Sequence, residues 1–262
     1  MLIFRFVGIC CISSALLKKC LFIFILICGI IIEILSHGGV MLKYKKLNII
    51  VGHYGSGKTN VAVNLALHAK KEKPTETVRI ADLDIVNPYF RTADSASLLT
   101  ERGIEVLLPE FANTNVDIPA LPPKMFTMFE NNGYSFIDVG GDEGAVALGM
   151  YRHLIEKVPH EVFYVINMYR PLIADPEDAV SCMRDIEAVS GLSVTAMINN
   201  SSLGEETDAD TVRDSFEYAK KCASLASVPL TAHTYVKQYA GDLENAGEPL
   251  LMPIDDITKK LF

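Results

Sequence analysis

From Met41 onward the hydrophobic positions fall into short, β-branched runs that alternate with stretches of helical spacing. Leu47–Val51, Val78–Ala81, Ile104–Leu108, Tyr134–Val139, Val162–Ile166, Ser193–Ile198 and Pro229–Ala232 predict strands. Between them, Thr59–Lys71 predicts a helix with Val61, Val63, Leu65, Ala66, Leu67 and Ala69 as its apolar positions. Thr92–Arg102, stopped by Gly103, Pro119–Asn131, Pro176–Ser190, stopped by Gly191, and Thr207–Ser224 predict further helices. Strand and helix in strict alternation imply a single doubly wound, mostly parallel α/β sheet with helices on both faces. In such a fold ligands bind beyond the carboxyl ends of the strands, so strand-end residues are the ones to search for chemistry.

The first forty residues break this pattern. Two apolar runs, Phe6–Leu17 and Cys20–Ile32, are split by Lys18 and Lys19. Each is shorter than the roughly 20 residues that a membrane-spanning helix needs, and extending the second run means accepting Glu33. No small-residue cleavage site directly follows the apolar stretch. Met41 opens a natural first strand, and the codons of Gly38-Gly39 can resemble a ribosome-binding site. The expectation is therefore that translation starts at Met41. A weak membrane anchor and a signal peptide stay open as alternatives. On this reading residues 1–40 are a hydrophobic N-terminal segment and 41–262 are one domain, placed in the cytoplasm, or at a membrane if residues 1–40 are part of the protein.

Composition sharpens that division. The chain has 262 residues, half of them hydrophobic and 21% charged, enough for a sizeable core. Its net charge is −8. Arg5, Lys18, Lys19 and Glu33 make residues 1–40 net +2, which leaves −10 on the rest. An acidic body argues against nucleic-acid binding, which relies on basic surface. Only Cys182 and Cys222 lie beyond residue 40, in no CxxC pattern, so neither a disulfide framework nor a zinc site is expected.

The strongest chemical signal is Gly52-His53-Tyr54-Gly55-Ser56-Gly57-Lys58-Thr59, which fits G-x-x-x-x-G-K-[ST] between an expected strand and an expected helix. Glycines let the backbone curl until its N–H groups converge on phosphate oxygens, and the helix N-terminus adds a favourable field. Lys58 is expected to reach the outer phosphates, and Thr59 to offer its hydroxyl to Mg²⁺. Asn60 follows directly as the next residue of the binding segment.

Acidic residues stand at two other strand ends. Val78–Ala81 runs into Asp82-Leu83-Asp84, and the strand before Val139 places Asp138 ahead of Gly140-Gly141. A magnesium nucleotide needs carboxylates near the ion, directly or through its waters. Asp138 and Asp82 are read as its acidic partners. Asp84, on the same side as Asp82 in an extended segment, is read as the residue that orients the attacking water.

With these motifs together, residues 47–230 resemble the MinD/ParA/CobQ-type branch of the P-loop NTPases. The match rests on strand–GxxxxGKT–helix with Asn64-Leu65-Ala66, on Asp82-Leu83-Asp84, and on Asp138-Val139-Gly140-Gly141. The resemblance implies ATP, Mg²⁺, slow hydrolysis with Asp84 as the hydrolytic aspartate, and nucleotide-dependent homodimers. It also implies an adenine-reading asparagine at the end of a late strand, here Asn199. One position departs from the family's K-G-G-x-G-K-[ST] loop: His53 stands where the family has its first lysine.

Three further segments lie near the same ends of the strands: Asn87–Arg91, Pro109–Pro119 and Tyr169-Arg170-Pro171. The absence of an Asn-Lys-x-Asp sequence favours ATP over GTP. Three functions remain in view. The first is an ATP-hydrolysing switch read by a partner protein. The second is a ligase-like enzyme that uses ATP to activate a small carboxylate. A positioning protein on a membrane or nucleoid is the third, and the acidic body counts against the nucleoid.

Overall fold

The computed structural model describes residues 42–83, 92–107, 123–130, 132–243, 248 and 250–257, with the backbone alone at 92–95, 142 and 143. Strand β1 (Leu47–Val51) is buried at all five residues and occupies the middle of the sheet. The other strands are β2 (Val78–Asp82), β3 (Glu105–Leu107), β4 (Tyr134–Asp138), β5 (His160–Ile166), β6 (Ala196–Asn199), β7 (Leu230–Val236) and β8 (Leu251–Ile254). Their order is β3-β2-β4-β1-β5-β6-β7-β8, and all of these pairings are parallel. The chain leaves β1 toward β2 on one side and later returns to β5 on the other. The carboxyl end of β1 is therefore the point where the winding reverses, the place where an open α/β sheet leaves a crevice.

Pleat alternation sorts the core into two layers. Leu47, Ile49 and Val51 of β1 face one side, with Tyr164, Ile166 and Met197. That side is covered by α3 (Asp142–Met150), α5 (Pro176–Ser190) and α6 (Ala209–Ala226), through residues such as Leu148, Met183 and Cys222. Ile50, Phe136, Val165 and Ile198 face the other side, under α1 (Lys58–Glu72) and α2 (Thr92–Glu101). Two short helices, α4 (Arg152–Ile155) and α7 (Ala240–Leu243), complete the helical set among the described residues.

The strands and long helices stand where the hydrophobic pattern puts them, with three departures. The stretch expected to be a helix over Pro119–Asn131 forms a 3-10 turn over Pro123–Phe129, with a bend at Glu130; positions 119–122 and 131 lie outside the described residues. A three-residue repeat stacks Met125 above Met128, and both are buried. Helix α3 is not among the predicted helices, its run being interrupted by Gly144 and Gly149. Packing supports it: Ala145, Ala147 and Leu148 are buried, and Gly149 lies against the backbone of Val189 and Ser190 in α5, where a Cβ would come within 3.1 Å. Strand β8 was also missed. It is four residues long and contains Pro253, which an edge strand tolerates because one side of its backbone has no ladder partner. No helix among the described residues is long and apolar enough to cross a membrane.

Candidate functional site

The loop between β1 and α1 carries the geometry that its sequence requires. Gly57 sits at φ 84, a left-handed conformation that turns the chain into α1. A Cβ there would lie 2.2 Å from the side-chain nitrogen of Asn200, so a larger residue would displace that side chain as well as strain the backbone. Gly52 leaves β1 closely packed on the Val165 carbonyl of β5. Ser56 is buried, and Tyr54, at the tip, is 64% exposed. The His53 carbonyl accepts from the backbone N–H of Ser56 (3.1 Å) and from Nζ of Lys58 (3.0 Å). Lys58, buried, is thereby folded back onto its own loop. Asn60, the last residue expected in the binding segment, is engaged elsewhere. Its side-chain oxygen accepts from Asn64 (3.2 Å) and from the backbone of Ile257 (3.3 Å), pinning the C-terminal segment to α1.

The acidic side of the site adjoins this loop. Thr59 Oγ1 donates to Asp138 Oδ2 at 2.6 Å, joining the start of α1 to the end of β4. Asp82 is the register partner of Asp138 across β2 and β4, and both carboxylates are buried. Two acids expected from separate motifs thus meet at one level of the sheet, beside the threonine hydroxyl. Hydroxyl and carboxylate oxygens are hard donors suited to Mg²⁺, which keeps several waters and takes few protein ligands. No cluster of three or more His, Cys, Asp or Glu side chains among the described residues is placed to hold a metal. A Cβ added at Gly141, just beyond Asp138, would meet nothing within 4 Å, so the backbone there is open to approach. Asp84, Asn87–Arg91 and Pro109–Pro119 lie outside the described residues.

The other flank of the loop is built from the ends of β5 and β6. Asn199, expected from the resemblance to contact adenine, is 1% exposed and faces away from the loop. Its Nδ2 donates to Ser215 Oγ on α6 (2.7 Å) and lies 2.9 Å from His233 Nδ1, and its Oδ1 accepts from Ser201. The neighbouring Asn200 faces the loop. Its Nδ2 donates to the Ser56 carbonyl (2.8 Å), and its Oδ1 accepts from Thr234 Oγ1 (2.5 Å). Pleat alternation explains the split: Met197 and Asn199 point to the α6 side, and Ile198 and Asn200 to the α1 side. A polar run after an apolar strand was the available signal, and choosing the face within it needed the register.

Two more loop neighbours come from the β5 end. Asn167, buried, accepts from the backbone of Tyr169 (3.0 Å) and Ser202 (3.2 Å) and donates to Ser202 (3.1 Å). Arg170 reaches back to the phosphate loop, and its Nε donates to the Gly55 carbonyl at 2.7 Å.

No protein-family model matches the chain, and none of the curated proteins matches it. Solved structures do resemble it. Chloroplast FtsY from Physcomitrella patens superposes with a TM-score of 0.50 at 16% identity, over 75% of this chain and 60% of that one. The 54 kDa signal recognition particle protein of Aeropyrum pernix K1, solved with GDP, gives a TM-score of 0.48 at 16% identity, over 83% and 43%. A nucleotide-binding protein of Archaeoglobus fulgidus, solved with ADP, gives 0.45 at 13% identity, over 82% and 86%. The chain thus spans less than two thirds of the FtsY chain it matches. What the FtsY likeness establishes is the fold: one parallel α/β sheet, here with its glycine-rich loop at the carboxyl end of the central strand.

Proposed function

We propose that this chain binds Mg-ATP at Gly52–Thr59 and hydrolyses it slowly, as a nucleotide switch read by a partner protein, within the MinD/ParA/CobQ-type branch. The observation that carries this reading is the 2.6 Å bond between Thr59 and Asp138, with Asp82 beside them in register. Lys58 and the loop amides would bind phosphate oxygens. Thr59, Asp138 and Asp82 would hold Mg²⁺, directly or through its waters, and the ion would neutralise charge on the outer phosphates. Asp84 is proposed to orient the attacking water, and Asn200, rather than Asn199, to lie beside the base. ATP is favoured over GTP because the residue three beyond Asn200 is Leu203, where an Asn-Lys-x-Asp pattern would carry its aspartate. A nucleotide-dependent homodimer is part of the proposal, with His53 at its departing position.

The test is a titration of the purified chain with ATP, ADP and GTP in Mg²⁺, following melting temperature and phosphate release. A ligand that binds only the native state raises the melting temperature by mass action. An ATP-selective rise with slow phosphate release is expected. Asp84→Ala should keep that rise and lose the release, and unchanged turnover in this variant would remove Asp84 from its role. A rise without turnover until a small carboxylic acid is added would point instead to the ligase-like activity.

A further inference from the structure

We infer that Arg170 is a positioning residue of the phosphate loop, holding it open-handed before a nucleotide arrives; the inference rests on the nucleotide-binding reading above. Gly55 and Gly57, both at positive φ, give the loop backbone freedom that it must lose to grip a phosphate. Two donors from neighbouring strand ends restrain it. Arg170 Nε–H binds the Gly55 carbonyl at 2.7 Å, and Asn200 Nδ2 binds the next carbonyl, Ser56, at 2.8 Å. In a trans peptide the C=O and the following N–H point in opposite directions. Holding these two carbonyls on the outer side therefore turns the amides of Ser56 and Gly57 the other way. The Ser56 amide accordingly donates to the His53 carbonyl, the same oxygen that takes the Lys58 ammonium.

The arginine itself is anchored. Its backbone N–H donates to the Asn167 carbonyl (3.1 Å), its own carbonyl accepts from Ile173 (2.9 Å), and Asn167 is tied to Ser202 beyond β6. The Arg170 side chain lies against the loop, with Nε, Cζ and Cδ 3.1 to 3.4 Å from where a Gly55 Cβ would be. Its partner is unusual for this chain. Arg79, Arg152, Arg184 and Arg213 each pair with a carboxylate, whereas the Gly55 carbonyl is the one hydrogen-bond acceptor of the Arg170 side chain among the described residues. Arg170 is exposed, so its removal takes little from the core. What it restrains is the loop.

The experiment is calorimetric titration of the full chain with Mg-ATP and Mg-ADP, comparing wild type, Arg170→Ala and Arg170→Gln, with melting temperatures of the nucleotide-free proteins. Arg170→Ala should weaken both nucleotides by the same factor, about ten-fold for one charge-assisted bond, at an almost unchanged melting temperature. Arg170→Gln, a neutral side chain that can still donate to the carbonyl, should recover part of the loss. Equal affinity in wild type and Arg170→Ala overturns the inference. So does a loss much larger for ATP than for ADP that glutamine fails to rescue, because that pattern belongs to a direct phosphate ligand. If wild type binds neither nucleotide, the nucleotide-binding reading falls and takes this one with it.

Discussion

Asn199 and Asn200 are adjacent in sequence, equal in chemistry and buried at the end of the same strand, yet they serve two different regions. Asn200 points to the glycine loop and restrains a carbonyl of a segment that has amides to offer. Asn199 points into a closed cluster with Ser215, Ser201 and His233, where its side-chain donors and acceptor are taken up by other protein groups. A polar cluster whose bonds close on themselves ties elements together. One that braces a glycine loop fixes the course of that loop's backbone. Burial and residue type alone do not separate the two cases; the partners do.

His233 shows what the closed cluster demands of its members. It is fully buried, in contact with the Phe216 ring, and its pKa is pushed down to about 4 by burial. The Asn199 amide, donating to Nδ1, leaves the ring proton on Nε2, which faces Glu248 at 4.0 Å. Protonating Nδ1 would set N–H against N–H. The neutral ring is therefore the form this cluster accommodates.

Four substitutions or conditions can break the comparison. The largest effect is expected from Lys58→Ala at the loop. Removing a buried ammonium from a phosphate site costs about 2–5 kcal/mol, so calorimetry should find nucleotide binding weakened at least ~30-fold. Acidification comes next and should act through the closed cluster. With the folded pKa of His233 depressed to about 4, the unfolded chain binds the proton first as pH falls below about 6.5. Stability is thus full above that pH and declines toward pH 4, by about 3 kcal/mol at most for this group. Urea melts across this window should show a shallower decline in His233→Gln, and parallel curves would remove His233 as the cause.

Asn199→Ala follows, leaving buried His233 Nδ1 without its donor and Ser215 with only its bond to the Val212 carbonyl. It should cost about 1–3 kcal/mol of stability while the folded fraction keeps its nucleotide affinity. Asn200→Ala is the smallest and the reverse: a loss of about ten-fold in nucleotide affinity and a lesser change in stability. If Asn199→Ala proved the weaker binder and Asn200→Ala the less stable protein, the division between the two regions would be inverted.

The glycine loop was legible because its chemistry is local. The residues that curl the backbone, carry the charge and start the helix are contiguous, from Gly52 to Thr59. Asp82 and Asp138 were legible for a related reason: each ends an apolar strand, and carboxyl ends of parallel strands share one edge. The helix over α3 was not, since its glycines argue against a helix and its burial against the sheet and α5 stabilises it. The grip of Arg170 on Gly55 was not legible either, because 115 residues separate the two and neither has a spacing that announces the other.

The sequence by itself determined the alternation of strand and helix, the parallel sheet and the position of the loop, because hydrophobic period and glycine placement act over a few residues. Tertiary structure alone decided which asparagine meets the loop, which arginine braces it and which histidine stays neutral. Those outcomes depend on strand order and on a pleat that turns successive side chains to opposite faces, where a shift of one residue exchanges a brace of the glycine loop for a structural tie.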